Sequence, residues 1–462
     1  MCWEVRLLSS EQSKSHAIKV SDIGIPKEVM KDCSDPRDIL RELISNAGAK
    51  EVGAEQVEVF KFTDPEYKLS FRVKDDGCGM SYTGDEKDQG RLDRFLNLGY
   101  SEVSGLESDE FSHKGLGSAL IYNSRRVKVE SFNGDALYEV VIDDPRGHFW
   151  KEEPEAPTPR VTVHRNVDRE NTGTKISIFG FDGGDNAHYK KYNFDRIKEY
   201  LRWRSLVGCT KEERTNNLPE FKLNVEGQEE IMEPGFPWIR NIEETKDTVI
   251  FEPETVRREE KGTSMEVTVK GGMTLNISEQ NLKEKYAGLT VSLNGIPYFR
   301  DISYVKNHFS DVHWKFMNLV VECDDLNLNI SRNGYYKDDL KGKLFNNAVN
   351  QALRNLENTD KYKKFAAHVR RKQRESQADD LEKRKKSLQK DSHKYVTING
   401  KILHSFPRSE QDTLAILWKL EGKGELPFHR FQTLEHTPQK GMDLVVDIQE
   451  KKESERKDYV SV

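Results

Sequence analysis

Cysteine is scarce in this chain. Five occur in 462 residues, at Cys2, Cys33, Cys78, Cys209 and Cys323, an odd number with no C-x-x-C pair. Neither a disulfide framework nor a zinc site is therefore expected, and free thiols suit a reducing cytoplasm. Long apolar runs are missing too: nothing approaches the ~18–20 residues needed to cross a bilayer. The opening MCWEVRLLSSEQSKSHAIKV carries scattered polar groups instead of an apolar leader segment, which sets a secreted reading aside. The expectation is a cytoplasmic protein without a membrane partner. Charge of one sign is also lacking. Lys+Arg 73 against Asp+Glu 79 leaves a net charge of −6, so no global field gathers nucleic acid. No G-x-x-x-x-G-K-[ST] is present, which excludes a P-loop.

Charged residues themselves are abundant, at 33% against ~25% in an average globular domain. Length alone suggests about three domains, and changes of texture divide the chain further. Residues 1–30 form an N-terminal segment; 31–185 mix helix-period and strand-period runs around two glycine-rich turns; 186–345 continue the mixture without those turns. Residues 346–393 hold few β-branched or aromatic residues and include KRKK at Lys383–Lys386, which reads as charged helix; 394–462 return to globular composition.

The second of these stretches carries most of the chemistry. Pro36 after Asp35 starts a helix, DPRDILRELISNAGAKEVGAEQ, in which Ile39, Leu43, Ala47 and Lys50 share a face. Glu42 and Asn46, four apart, project together beside it. VEVFKF and KLSFRVKDDGCGM alternate like strands, the second ending in Asp75-Asp76-Gly77-Cys78-Gly79-Met80. A polar segment, Ser81 to Lys114, precedes Gly115-Leu116-Gly117, which opens an apolar helix, SALIYNS. Such a start presents free backbone N–H groups where phosphate binds. RRVKVESF, ALYEVVID and TGTKISIFGF follow as strands. Helices and strands come in blocks, which points to a layered sandwich and not a doubly wound sheet. Taken singly, Glu42 is a helix carboxylate that Lys50 or Arg41 would pair, and D-x-G-x-G is a turn signal.

Jointly these motifs resemble the GHKL (Bergerat-fold) ATPases, the superfamily of gyrase, MutL and the ninety-kilodalton heat-shock chaperone. RELISNAGAK, Arg41–Lys50, is similar to their N box. The resemblance implies Glu42 as the general base that polarises water and Asn46 as a Mg²⁺ ligand. It implies Asp75 as the acceptor of the adenine amino group, with Gly77, Gly79 and Met80 beside it and Thr174 supporting the contact. It makes Ser81–Lys114 an ATP lid and sets Lys114, Gly115, Leu116 and Gly117 against the phosphates. Gly48 stands where many relatives continue with an Asp-Ala pair. GLTVSLNGIPYFR and FMNLVVECDDLNLNISRNGYY resemble the transducer (S5-like) domain of the chaperone and MutL branches, in which an Asn-x-Ser-Arg turn delivers an arginine, here Arg332, to the γ-phosphate. Without that role Arg332 would pair with Asp324 or Asp325.

The implied fold is α+β: a Bergerat α/β sandwich, a transducer-like α/β domain, a charged helical linker and a small C-terminal α/β segment. There SEQDTLAILWKLEGKGELPF reads as an amphipathic helix and Leu444–Ile448 as a strand. GMD before that strand faintly resembles a restriction-endonuclease-like core, in which Asp443 would bind Mg²⁺. Such a core also needs a second acidic residue and a lysine on the next strand, and YVSV, which reads as that strand, holds no E-x-K. The other reading of the segment is a protein-interaction or dimerisation module. The implied activity is hydrolysis of Mg·ATP by an ATP-dependent homodimer, with residues 1–30 as the crossing arm. The output is a DNA-associated clamp of the MutL or Microrchidia kind, as in bacterial defence or repair. The alternatives are a chaperone for protein clients or a nucleotide-gated scaffold.

Overall fold

The computed structural model describes residues 12–16, 18, 24–32, 35, 37–85, 88–97, 117–165, 167, 171–181, 192–237, 244–275, 287–309, 313–329, 332–372, 383, 396–398, 401–403, 428–437 and 442–450. The chain divides into two units, Met1–Tyr362 and Lys363–Val462. The first holds two mixed sheets with helices packed on them, an α+β architecture.

The larger sheet is built from β1 (Gln12–Ser15), β2 (Gln56–Asp64), β3 (Lys68–Asp75), β4 (Arg126–Phe132), β5 (Ala136–Asp143), β6 (Arg160–Arg165), β7 (Gly173–Phe179), β8 (Glu220–Val225) and β9 (Gln228–Met232). Their order is β1-β6-β5-β4-β7-β3-β2-β8-β9, antiparallel except for the parallel pair β2–β8. Alternation makes these strands: Val57, Val59, Phe71 and Val73 enter the core while Glu58, Phe60 and Arg72 remain partly open on the other face, the period-2 pattern of a sheet covered on one side. Helix α2 (Asp38–Ala47) packs on β2 and β3 and α5 (Phe194–Arg204) on β8 and α2, and α1 (Gly24–Asp32) meets the 117–122 turn; α3 (Arg91–Leu96), α4 (Pro145–Trp150) and α6 (Glu212–Thr215) are further helices of the unit. β1 belongs to the residues expected as a crossing arm; here it pairs with β6 of its own chain, Gln12 opposite Val163.

The second sheet runs β10 (Thr248–Glu260), β11 (Thr263–Thr274), β14 (Met317–Cys323), β12 (Gly288–Leu293), β13 (Ile296–Asp301). All six residues of β12, GLTVSL, are buried, with Ser292 Oγ bonded to Thr210 Oγ1 at 2.7 Å, and its partner β14 runs parallel to it. Helix α7 (Ile302–His308) packs on β12, and α8 (Leu340–Asn358) covers β10 and β11 with Leu344, Phe345, Val349, Leu353 and Leu356. The boundary expected at 345/346 therefore falls inside α8. β13 meets α5 and the 3-10 turn Leu206–Gly208, which brings the second sheet to the helix layer of the first.

In the second unit β15 (Val396–Ile398) pairs with β16 (Lys401–Leu403), and β17 (Phe428–Thr437) with β18 (Met442–Glu450), both antiparallel. Asp443 is the second residue of β18, whose apolar run was legible. Polar-rich FHRFQTLEHT was not read as β17. The amphipathic stretch 409–427 and Arg384–Lys386 lie outside the described residues.

Two local expectations are corrected. The first helix ends at Ala47 instead of continuing toward Gln56, and Lys50 lies exposed beyond it. Gly48 is the C-cap, and a Cβ there would meet the Leu206 side chain at 2.5 Å, so a glycine lets the helix end pack on the 206–208 turn. SALIYNS is not an α-helix either. Gly117–Tyr122 form a 3-10 turn, with Ala119, Leu120, Ile121 and Tyr122 buried.

Candidate functional site

Two buried carboxylates organise the first unit. Asp75, 7% exposed, ends β3, and the sheet register puts it opposite Thr174 of β7, with Thr174 opposite Ser131 of β4. One oxygen, Oδ1, accepts from the backbone N–H of Gly77 at 3.0 Å and of Thr174 at 3.3 Å. The other has no hydrogen-bond partner among the described residues. Ser131 Oγ and Thr174 Oγ1 lie 2.9 Å apart, and Met80 N donates to Ser131 Oγ at 2.7 Å. Burial raises the Asp75 carboxyl to about 6, against the pull of the two N–H groups. A carboxylate without a cation, with one acceptor oxygen uncommitted, is suited to a ligand amino group.

The glycines around it are required by packing. A Cβ on Gly77 would strike Val52 Cγ1 at 2.3 Å, and one on Gly79, at φ +72°, would lie 2.1 Å from the Phe132 carbonyl. Gly173, at φ +142°, lies against the Asp75 carbonyl in the same way, at 2.3 Å. The turn is thus pressed onto its neighbours, and Asp75 is held by backbone alone.

Glu42 sits differently. Nine residues of α2 are buried, Glu42, Arg41 and Asp38 among them. Arg41 Nε donates to Glu42 Oε1 at 3.1 Å, and Arg41 Nη1 is 3.3 Å from Asp38 Oδ1. Asp38 also accepts from the Tyr200 hydroxyl of α5. The second Glu42 oxygen, Oε2, accepts from Nη1 of Arg332, 290 residues away in sequence. Both guanidiniums lie over the Tyr298 ring of β13, Arg41 at 5.3 Å and Arg332 at 5.9 Å from its centroid. Burial would raise the Glu42 carboxyl, but Arg332 and Arg41 outweigh it and hold it below the usual carboxylate range. Burial raises the Asp38 carboxyl, with Arg41 and Tyr200 working against it.

The turn that carries Arg332 is braced by Asn329. Its backbone N–H donates to the Gly334 carbonyl at 3.0 Å, its carbonyl accepts from Arg332 N at 3.0 Å, and its Oδ1 accepts from Gly334 N at 3.2 Å. Arg332 itself stands at φ +54°, the left-handed region that a bulky residue occupies only when its surroundings hold it there. The alternative partners of Arg332 are engaged elsewhere: Lys211 pairs with Asp324 at 2.7 Å, and Lys341 with Asp325.

No protein-family model matches this chain, and no curated protein matches it. The site rests on its own geometry. Among the described residues no helix is long and apolar enough to cross a membrane, and no group of three or more His, Cys, Asp or Glu side chains could hold a metal.

Of the residues singled out from the sequence, Asp75, Gly77, Gly79, Met80 and Thr174 come together, and Glu42 meets Arg332. Asn46 is exposed at the last turn of α2, and its side-chain amide has no hydrogen-bond partner among the described residues. Lys114, Gly115 and Leu116 lie outside the described residues; Gly117 begins the 3-10 turn. Asp443 is placed in β18 of the other unit. Sequence reasoning missed Asp38, Tyr200, Tyr298 and Ser131, whose roles arise from strand register and inter-sheet packing. It also missed Asp93, 1% exposed. The Asp93 carboxylate accepts from Thr83 N at 2.9 Å, Gly84 N at 3.0 Å and Gly90 N at 2.9 Å, and so shapes the beginning of the stretch expected as a lid.

Proposed function

We propose that the chain is a Mg²⁺-dependent ATPase with a Bergerat-type nucleotide site and a transducer-like second sheet. The observation that carries this reading is Asp75: a buried, cation-free carboxylate with an uncommitted oxygen, in register with Thr174 and Ser131. Such an acceptor suits the exocyclic amino group of adenine and discriminates against a base that presents a carbonyl there.

The remaining residues fit the group. Mg²⁺ takes oxygen ligands, needs few from protein and keeps several waters; the exposed Asn46 amide would supply one. Bound ATP supplies the phosphoanhydride and its leaving group. Glu42 would accept the proton of the attacking water as general base. Arg332 would place a guanidinium against the charge on the phosphoryl oxygens, a role its planar fork suits better than an ammonium. Arg41, held between Asp38 and Glu42, orients the base. The inter-sheet contact of Arg332 with Glu42 is what lets the second sheet respond to events at the first.

On this reading the output is ATP-gated dimerisation, working as a clamp on DNA. The chaperone and the scaffold remain the competing outputs. Steady-state phosphate release with Mg²⁺, with and without linear DNA, tests the assignment. Turnover in the native chain that Glu42→Ala abolishes while ATP still binds is the expected result, and stimulation by DNA selects the clamp. ATP-dependent dimerisation without turnover would select the scaffold. Suppression of client aggregation would select the chaperone. Failure to bind ATP overturns the assignment.

A further inference from the structure

Arg332 is assigned one task by the nucleotide reading and is found performing another. Its Nη1 donates to Glu42 Oε2, while Arg41 holds Oε1. Both oxygens of the base therefore face cations, and an oxygen engaged in this way is a weaker proton acceptor toward water. The cluster is also electrically balanced: Asp38 and Glu42 against Arg41 and Arg332, all largely buried. Withdrawing Arg332 leaves two carboxylates and one guanidinium, which increases the proton affinity of Glu42. The same movement uncovers the base and strengthens it.

We propose that Arg332 exchanges partners: its ion pair with Glu42 is a latch between the two sheets, and the terminal phosphate of a bound nucleotide opens it by taking Arg332 for itself. This rests on the ATPase reading above. A phosphate bearing two negative charges is a stronger bidentate partner for a guanidinium than a carboxylate. Tyr298 lies beside both guanidiniums, and Arg41 has its own pairs with Glu42 and Asp38, so Glu42 keeps one cation when Arg332 leaves.

The consequence is a competition that binding can read. A ligand with a γ-phosphate must displace Glu42 from Arg332, whereas ADP does not. Affinities for Mg·ATP and Mg·ADP would be measured for the native chain, Glu42→Gln, Arg332→Gln and the double variant. Glu42→Gln is expected to raise the ATP:ADP affinity ratio about fivefold or more, the lower end of ordinary coupling. That gain disappears in the Arg332→Gln background. A gain that persists without Arg332 means that Glu42 merely repels phosphate, and overturns the latch. So does an unchanged ratio in Glu42→Gln. If Arg332→Gln does not fold, Arg332→Lys carries the same comparison, with a reduced gain expected. A native chain that binds neither nucleotide overturns the ATPase reading itself, an outcome distinct from a latch that fails while ATP binds.

Discussion

Asp75 and Glu42 are both buried acids in the same unit, yet their protonation equilibria move in opposite directions. Asp75 is hydrogen-bonded by backbone N–H groups and has no cation in contact, the charges of Asp76 and Lys74 acting as minor opposing influences, so desolvation wins and its carboxyl rises to about 6. Glu42 meets two guanidiniums, and these overcome the same desolvation. Burial alone therefore does not set the chemistry of an acid; the charge that the fold delivers to it does. One site is poised to receive a donor from outside, and the other is already saturated from within.

The largest test of this contrast is removal of a cation. Arg41→Met takes the guanidinium from both Asp38 and Glu42, leaving Glu42 with Arg332 and Asp38 with the Tyr200 hydroxyl, and a loss of about 3–5 kcal/mol is expected in urea unfolding at pH 7. A loss below about 1 kcal/mol would show that the cluster is hydrated and that its burial means little.

Asp75→Asn should act in the other direction on stability. The folded carboxyl, near 6, lies above its ordinary 3.8, so its ionisation penalises the fold fully above pH 6, and the penalty fades as pH falls toward 3.8. The variant is expected to gain roughly 3 kcal/mol at pH 8 and nothing below pH 4, while losing adenine-nucleotide binding. Glu42→Gln has the reverse profile. The depressed carboxyl contributes stability above its ordinary 4.5 and loses it as pH falls through the folded value. The variant should therefore be weakened at pH 7, and the deficit should close in acid. Parallel pH profiles for the two variants would erase the distinction between the sites.

A smaller effect separates hydroxyl support from charge. Ser131→Ala orphans the Met80 N–H and removes a partner of Thr174. It should cost about 1–2 kcal/mol and weaken nucleotide binding without changing the pH profile of Glu42. Smallest of all is Asp325→Ala, which breaks an exposed pair with Lys341 and should stay within about 0.5 kcal/mol.

Much of the larger sheet was legible because its strands alternate: VEVFKF, KLSFRV, RVKVESF and ALYEVVID all fall on strands. Asp75 and Glu42 were legible as positions but not as environments. The end of α2 was not, because the reason for Gly48 is Leu206, which lies 158 residues further on (206 − 48). The partner of Arg332 was equally hidden. Local sequence offered Asp324 and Asp325, whereas tertiary packing gives those to Lys211 and Lys341 and turns Arg332 to Glu42. β1 and β17 escaped because polar edge and hairpin strands carry little periodic apolar signal.

The 290-residue separation between Glu42 and Arg332 has a consequence for biosynthesis. At ~5–20 residues per second, translation reaches Arg332 roughly 15–60 s after it has passed Glu42. Throughout that interval α2 holds Asp38 and Glu42 with Arg41 as their one guanidinium from the cluster. The nascent first domain thus holds Glu42 without its second guanidinium until Arg332 emerges. An isolated 31–185 fragment lacks both Arg332 and Tyr200, the partners of Glu42 and Asp38, and is a poor stand-in for the full chain when ligands of the site are sought.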